Sequence, residues 1–598
     1  MKGYMFLGLA ASLVPSGASA QSSSRAAVSL SAEVATVTTS PSAAPPLFAS
    51  ETVQLTDDVL ARAAAALNNE TLSVMFAFAV SNTTSVSRTR VLGCKVMPGD
   101  AAWPTETTWE IFRSVARYDD PTSIMLPLYE GRPCMPTGYN YTSTCTQGAY
   151  PTYVVNVSTV AQIKLAVDFS RNQNVRLVVK NTGHDFNGKP SGKGALSIWT
   201  HWLKDKAFYP VFKADNGYYG PAMQLGTSIQ AWEVYEFAKV SNVIIVGGEA
   251  AAFGVVGGYT FGGGHSPLSS MYGMAADQVL AMEVVLANGR FVTATSKQNS
   301  DIFWMLCGGG GSTIGVVTSL TIKAYPKLPT TTVTFNWTIS DTPNAEIGTA
   351  YAGNTDYYFR MESFVAPNMT IPETKKLLKP WFDVLDSLNV SYTPWYNHAD
   401  NFHDIWKIAF PVEAGRSDVV KTASRLPPRM VFRGQDLRHR NFLAQKDVIE
   451  KGLCIEGFHI SGTGIAVEPP TDNAVLPAWR DALAHVIVGS EWNFTSSWET
   501  IRNLSLFVTN WMDTLREISP DSGAYMSEAD LFEPNLQEAF YGVNYPHLYE
   551  LKQKYDPTGL FFALTAVGAE DWEVQVTDPL SYSWNNNGRL CPKSSWEK

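Results

Sequence analysis

The sequence predicts an α+β fold, with a second part built as α/β layers on an antiparallel sheet. Three observations predict it. Between Tyr150 and Pro326, short β-branched runs alternate with helical patterns in a stretch dense in glycine, which leaves α+β and α/β both open there. Between Thr330 and about Ser519, long aromatic strands alternate with amphipathic helices. Of 598 residues, 45% are apolar and only 17% charged, the balance of a folded chain with a large core.

The elements follow in chain order. Lys2, the apolar run Met5 to Val14 and the small residues Ala18-Ser19-Ala20 make residues 1–20 a secretory signal peptide. That run is too short to cross a bilayer, and no later stretch is long and apolar enough. Residues 21–146 form an N-terminal extension. Its start, to about Ser50, is rich in Ser, Ala, Thr and Pro, and Val53 to Leu67 is helical. Tyr153 to Val157 and Val175 to Val179 are strands around a helix over Val160 to Asn172, capped by Ser158 or Thr159. Val243 to Val246 and Val279 to Leu286 are further strands. Thr332 to Ile339 and Tyr357 to Val365 alternate as antiparallel strands do. Leu377, Trp381, Leu385 and Leu388 form the apolar stripe of a helix over Pro372 to Leu388. Pro546 to Tyr555 is a helix closed by Asp556-Pro-Thr-Gly559. No internal repeat is visible.

Charge and chemistry narrow the function classes. The 45 Lys+Arg against 55 Asp+Glu leave a net charge of −10, which argues against nucleic acid as a partner. Six Cys are too few for a disulfide scaffold. Behind a signal peptide, Cys94, Cys134, Cys145, Cys454 and Cys591 are candidates for pairing, while Cys307 reads as a buried free thiol. Nine Asn-x-Ser/Thr sequons, at Asn69, Asn82, Asn140, Asn156, Asn336, Asn368, Asn389, Asn493 and Asn503, fit a secreted glycoprotein. The nine His are scattered with no zinc spacing, so no metal site is expected. There is no Gly-x-Ser-x-Gly elbow and no Walker lysine. Gly308 to Gly315 lacks the Rossmann spacing and follows a helix, not a strand.

Three glycine-rich segments lie within Lys180 to Val317. The first is Lys180-Asn-Thr-Gly-His-Asp-Phe-Asn-Gly188 and its continuation to Gly192, directly after a strand. The second is Gly247-Gly248, then Gly257-Gly-Tyr-Thr-Phe-Gly-Gly-Gly-His265. The third is Gly308 to Gly315 with Val316-Val317. Glycine lets a backbone approach a ligand closely and aim several N–H groups at one anion. Any one loop reads as a turn between strands; all three together point to a dinucleotide. His184 stands in the first loop at a strand end, and a neutral imidazole is a nucleophile.

At these residues the chain resembles an FAD-linked oxidase of the vanillyl alcohol oxidase / p-cresol methylhydroxylase (PCMH-type) fold. Within it, the chain is most similar to the berberine-bridge-enzyme-like group and to fungal isoamyl-alcohol-oxidase-like proteins. The resemblance rests on Asn181-Thr-Gly-His-Asp-Phe, Gly194-Ala-Leu-Ser-Ile-Trp-Thr-His201 and Gly258 to Leu268. It continues through Tyr272-Gly-Met-Ala-Ala-Asp-Gln278, Asp301-Ile-Phe-Trp304, Gly308 to Val317, Phe540 to Tyr545 and Lys554 to Phe561. These motifs occur in the family's order and cover roughly Cys94 to the end.

The resemblance implies an FAD-binding domain over 147–328, a substrate (cap) domain over 329–520, and a C-terminal berberine-bridge-like segment over 521–598 returning to the first. It implies that FAD is held by Lys180, Asn181, Thr182, Gly183, His184, Asp185, Gly188 and Ser197. Further contacts fall on Gly257, Gly258, Thr260, Gly263, Gly264, His265, Leu268, Asp277, Val279, Gly315, Val317, Asn544 and Tyr545. His184 occupies the family's position for a covalent bond to the flavin. The second bond of many relatives comes from a Cys where this chain has Ala251, so a single link is expected. The activity implied is oxidation of an alcohol or a secondary-metabolite intermediate, with O2 as acceptor and H2O2 as product. The alternatives are an oxidative cyclase or desaturase, and a flavin-binding protein without turnover. No membrane partner is expected, and the chain reads as a monomer.

The catalytic base is expected among Glu528, Tyr525 and His459. A partly desolvated Glu528 gains a raised pKa and acts as base; the alternative is a carboxylate that caps or pairs at a strand end. The basic run Arg425 to Arg440 reads as a solvated loop with surface ion pairs.

Overall fold

Thr159 starts the first layer: its side chain accepts the Gln162 amide and opens the helix Val160–Asn172. This computed structural model describes residues 45–66, 74–79, 93–109, 147–311, 313–338, 358–410, 420–464, 472–493, 496–576 and 586–593. The expected signal peptide, the sequons at Asn69, Asn82 and Asn140, and Cys134 and Cys145 lie outside them. The Val160–Asn172 helix crosses over between two parallel strands, Tyr153–Asn156 and Leu177–Lys180, which flank Leu196–Trp199 in one three-stranded sheet. The helix buries Ile163, Val167 and Phe169 against Leu177, Leu196 and Ile198. This sheet ends at Lys180, where the first glycine loop begins.

A five-stranded antiparallel sheet follows, in the order Lys206–Lys213, Tyr219–Gly226, Gly315–Lys323, Val279–Leu286, Phe291–Thr295. All eight residues of Val279–Leu286 are buried, which explains a run apolar at every position but Glu283. The third glycine segment feeds directly into the strand Gly315–Lys323. It leaves the helix Ser300–Leu306, as the sequence indicates.

Two three-stranded antiparallel sheets form the second half. Thr330–Thr338 lies between Tyr358–Pro367 and Trp395–Ala399, and His485–Glu491 lies between Val420–Arg425 and Cys454–Phe458. In the second sheet Phe458 faces His485 and Glu456 faces Ile487 across the strands. The two-residue period therefore puts Glu456, Phe458, His485 and Ile487 on one face. The Ile371–Ser387 helix has Thr370 and Glu373 as a capping box. Of its expected stripe, Leu385 is buried and Trp381 packs against the same core, whereas Leu377 is 52% exposed and the adjacent Leu378 is buried in its place.

The basic run Arg425 to Arg440 is not a solvated loop. Arg425 is buried at a strand end and donates to the Ser519 carbonyl, while Arg429–Arg433 and Gln435–Glu450 are helices. The helical pattern carries charges on its outer face, which a charge count alone reads as loop.

The C-terminal helix Tyr545–Tyr555 stops at Asp556, whose carboxylate accepts the Leu560 and Phe561 amides at 2.8 Å each. Phe561 then pairs in parallel with Leu177, so the chain returns to the first sheet. Cys94 and Cys591 form a disulfide; Cys454 and the buried Cys307 are free. Among the described residues, no helix is long and apolar enough to cross a membrane.

Candidate functional site

His184 stands just beyond the strand Leu177–Lys180, in a loop that Asp185 folds. The Asp185 carboxylate accepts the amides of Asn187 (2.8 Å) and Lys189 (3.0 Å) and pairs with the Lys189 ammonium (3.0 Å). Asn187 ties the loop to the C-terminal segment by donating to the Met526 carbonyl at 3.0 Å. Gly183, at φ +98°, makes the turn that turns His184 into a cavity. Burial of the imidazole lowers its pKa, so it is neutral and nucleophilic at pH 7.

That cavity, about 380 Å³, runs from the first glycine loop to the sheet around His485–Glu491. Asn181, Thr182, Gly183, His184 and Asp185 line one wall. Gly257, Gly258, Gly311, Gly315 and Val317 line another, and Ala251 stands beside them. A Cβ at Gly311 would have the Gly258 Cα as its nearest atom, at 3.9 Å, so two of the glycine loops lie side by side at the cavity. A Cβ at Gly258 would meet no protein atom within 4 Å. Asn181 donates to the Thr227 carbonyl at 2.6 Å, while its Oδ1 is buried without a partner. Bare backbone on both walls and an unmatched polar atom are what a long polar ligand fills. The residues present fit a flavin dinucleotide.

The far end is lined by Glu456, Phe458, Ile487, His265, Tyr525 and Glu528. Here the fold gathers three groups from distant positions. Glu528 Oε2 lies 3.2 Å from His265 Nε2 and 2.9 Å from His485 Nε2. The three atoms lie within 4.8 Å of one another. The expected raised pKa of Glu528 is not found. Burial pushes it up, but the two imidazoles outweigh that and hold the carboxyl well below the usual carboxylate range. His265 is held up because the Glu528 charge offsets its burial, whereas burial pulls His485 down. Burial pushes the Tyr525 phenol far up, so it stays protonated.

The other expected residues lie off the cavity. His459 is exposed, one residue beyond the end of the strand Cys454–Phe458. Lys180 is buried with its ammonium 6.0 Å from the Trp199 ring centre. Ser197, Leu268 and Val279 are buried. The Gly188 carbonyl accepts from Asn586, and the Thr260 hydroxyl donates to Val255 at 2.6 Å. The Gly263 and Gly264 carbonyls accept the Ala276 and Ala275 amides. Asp277 is bound by Arg480, Asn544 donates to Val475, and Tyr545 donates to Glu570.

His485 is the residue that reading the sequence missed. The signal is a single His opening the apolar strand His485–Glu491, on the same face as Ile487.

The comparisons agree with this geometry. An FAD binding domain family matches residues 151–295, and a berberine and berberine like family matches 524–567. The chain is 34% identical to an FAD-linked oxidoreductase (patO) of Aspergillus clavatus, over 83% of this chain and 94% of that protein. It is 32% identical to a bifunctional decalin synthase (calF) of Penicillium decumbens, over 83% of this chain and 95% of that protein. The crystal structure of a VAO-type flavoprotein from Myceliophthora thermophila superposes with a TM-score of 0.71 at 29% identity, over 84% of this chain and 100% of that one. Three glycine loops, His184 at a strand end and these likenesses converge: the chain belongs to the FAD-linked oxidoreductases of the vanillyl alcohol oxidase type with a berberine-like C-terminal segment.

Proposed function

We propose that this FAD-dependent oxidoreductase is a secreted glycoprotein that oxidises a small alcohol or a secondary-metabolite intermediate, with O2 as the final acceptor. The observation that carries the reading is one cavity shared by two glycine loops, His184, and the polar cluster around Glu528. Residues 147–328 hold the cofactor, 329–520 cover the substrate end, and 521–598 bring Tyr525 and Glu528 to it. FAD, when bound, supplies the hydride acceptor. The chain's part is to bind, orient and handle the proton. His184 forms the single covalent link, since Ala251 has no sulfur to offer a second. Glu249 and Glu456 give the lining acidic character, which disfavours anionic substrates. Secretion is supported by the Cys94–Cys591 disulfide and by exposed sequons at Asn336, Asn368, Asn389, Asn493 and Asn503.

Acid precipitation tests the link. Yellow colour should stay in the wild-type pellet and leave the His184→Ala pellet. Colour released from the wild type by acid would refute the role of His184. A protein that takes up no FAD would refute the cofactor assignment in this chain. A second reading, oxidation followed by ring closure, is supported by the likeness to a decalin synthase. A product isomeric with the expected carbonyl compound would favour it.

A further inference from the structure

We propose that His265 takes the substrate hydroxyl proton on Nδ1, with Glu528 and His485 as positioning residues that hold its ring and its charge. The proposal rests on the alcohol-oxidation reading. An ionised carboxylate can only accept hydrogen bonds. Glu528 Oε2 has both Nε2 atoms within 3.2 Å, so each Nε2 carries the hydrogen and each Nδ1 is left as a lone pair. Both Nδ1 atoms are buried and have no hydrogen-bond partner. An unmatched buried acceptor costs about 1–3 kcal/mol unless a ligand satisfies it. Of the two imidazoles, only His265 lines the cavity. His265 is therefore the one whose ring borders the space a bound hydroxyl would enter.

The surroundings fit that role. The His265 ring is boxed by Phe458, Tyr525 and Trp479, with ring centres 5.2, 5.4 and 6.0 Å away. Tyr259 fixes its backbone by donating to the His265 carbonyl at 2.8 Å. The charged and titratable groups facing it are Glu528, Glu249, Glu456, His485, Tyr525 and Tyr259. Three are carboxylates, the phenols stay neutral, and burial keeps His485 neutral. An imidazolium formed at His265 is thus stabilised by Glu528, in the manner of a His–carboxylate pair. Glu528 itself, held as a weak base by two imidazoles, is a poorer proton acceptor.

The step balances. The substrate O–H bond breaks and its proton goes to His265 Nδ1. The O–H electron pair would become the second carbon–oxygen bond as the α C–H left as hydride, for which FAD, when bound, would supply the acceptor.

The test uses the FAD-loaded full chain with His265→Asn, Glu528→Gln and His485→Asn variants. Histidine NMR titration of the oxidised holoprotein needs no substrate. One His signal should titrate above the ordinary 6.5, vanish in His265→Asn, and fall below 6.5 in Glu528→Gln. Anaerobic flavin bleaching by a panel of primary alcohols including benzyl alcohol is the second readout. His265→Asn should slow it at least ~100-fold. Glu528→Gln should slow it less and move the pH midpoint of the rate downward, and His485→Asn should also shift that midpoint. Direct bleaching by sulfite should be unchanged in all three, showing an intact flavin. A wild-type bleaching rate in His265→Asn, or a His265 titration unmoved by Glu528→Gln, overturns the proposal alone. A wild type bleached by sulfite but by no alcohol overturns the alcohol reading and the proposal with it.

Discussion

Arg480 grips Asp277 with two hydrogen bonds, 2.7 and 2.8 Å, tying the second half of the chain to the first. The same carboxylate accepts from Asn473 at 2.7 Å and from the Met274 amide at 2.8 Å, so its lone pairs are taken by protein. Asp277 is 5% exposed. Removing its partner leaves a buried carboxylate uncompensated, which costs roughly 3–5 kcal/mol. Arg480→Ala should therefore lower the thermal midpoint markedly, and Arg480→Lys less, since Lys cannot make the fork. Alcohol-driven flavin bleaching should survive in the folded fraction, because neither residue lines the cavity. An unchanged Tm in Arg480→Ala would show the pair to be idle.

Two glycines of different loops should respond in opposite ways. A Cβ at Gly308, where φ is +120°, would sit 2.1 Å from the Val475 nitrogen, backbone that cannot step aside. Gly308→Ala should destabilise the fold by about 2 kcal/mol or more through clash and strain. A Cβ at Gly258 meets nothing but the cavity. Gly258→Ala should keep the apoprotein's stability within about 1 kcal/mol of wild type and be purified with far less FAD than wild type. A wild-type FAD content in purified Gly258→Ala would move the cofactor away from that wall.

Buried carboxylates make the fold prefer mildly acidic pH. Burial raises Glu283 to about 8, and raises Asp168 to about 7 despite its pairing with Arg171. Glu51, on the hydroxyls of Thr318 and Ser319, is raised in the same direction by burial. Unfolded carboxyls ionise near pH 4, so between about 4.5 and 8 these three carboxyls bind more protons in the folded state than in the unfolded one. Stability is present at the acidic end of that window and is lost as pH rises through it, by an amount on the order of a few kcal/mol. Urea midpoints at pH 5 and 8 should show the fall, and Glu283→Gln should flatten it. A pH dependence left unchanged by Glu283→Gln would contradict the buried, protonated state of Glu283.

Local chemistry made much of this structure readable from sequence. Thr159 marks a helix start because its hydroxyl meets the first orphan amides, and Val279–Leu286 shows its burial as a run broken only by Glu283. The glycine loops and His184 were legible because close backbone approach leaves a residue-type signature. The Glu528 cluster was not. His265 and Glu528 are 263 residues apart, and His485 is 43 from Glu528. Only tertiary packing of the His265 loop, the strand His485–Glu491 and the Glu528 segment puts both rings on one oxygen, and that contact reverses the expected direction of the Glu528 pKa. The stripe of Ile371–Ser387 holds at Trp381 and Leu385 and misses at Leu377, because the adjacent Leu378 fits the same spacing and takes the buried place.

The Cys94–Cys591 disulfide should matter more than the ion pair beside it. It joins positions 497 residues apart, across the hairpin of Trp572–Val576 and Gly588–Pro592. The Lys95 amide donates to the Leu590 carbonyl at 2.8 Å, so the crosslink closes a strand edge already in place. Arg589 also holds this hairpin, through two bonds of 2.5 and 2.6 Å to Asp100. That pair is partly exposed and contributes about 1 kcal/mol or less. A long crosslinked loop restricts the unfolded chain, and its loss costs roughly 2–5 kcal/mol. Cys591→Ser should therefore lower the thermal midpoint more than Arg589→Ala, and dithiothreitol should lower the wild type but not Cys591→Ser. Equal midpoints for the two variants would mean that the hairpin's own hydrogen bonds, and not the sulfur bridge, hold the end of the chain.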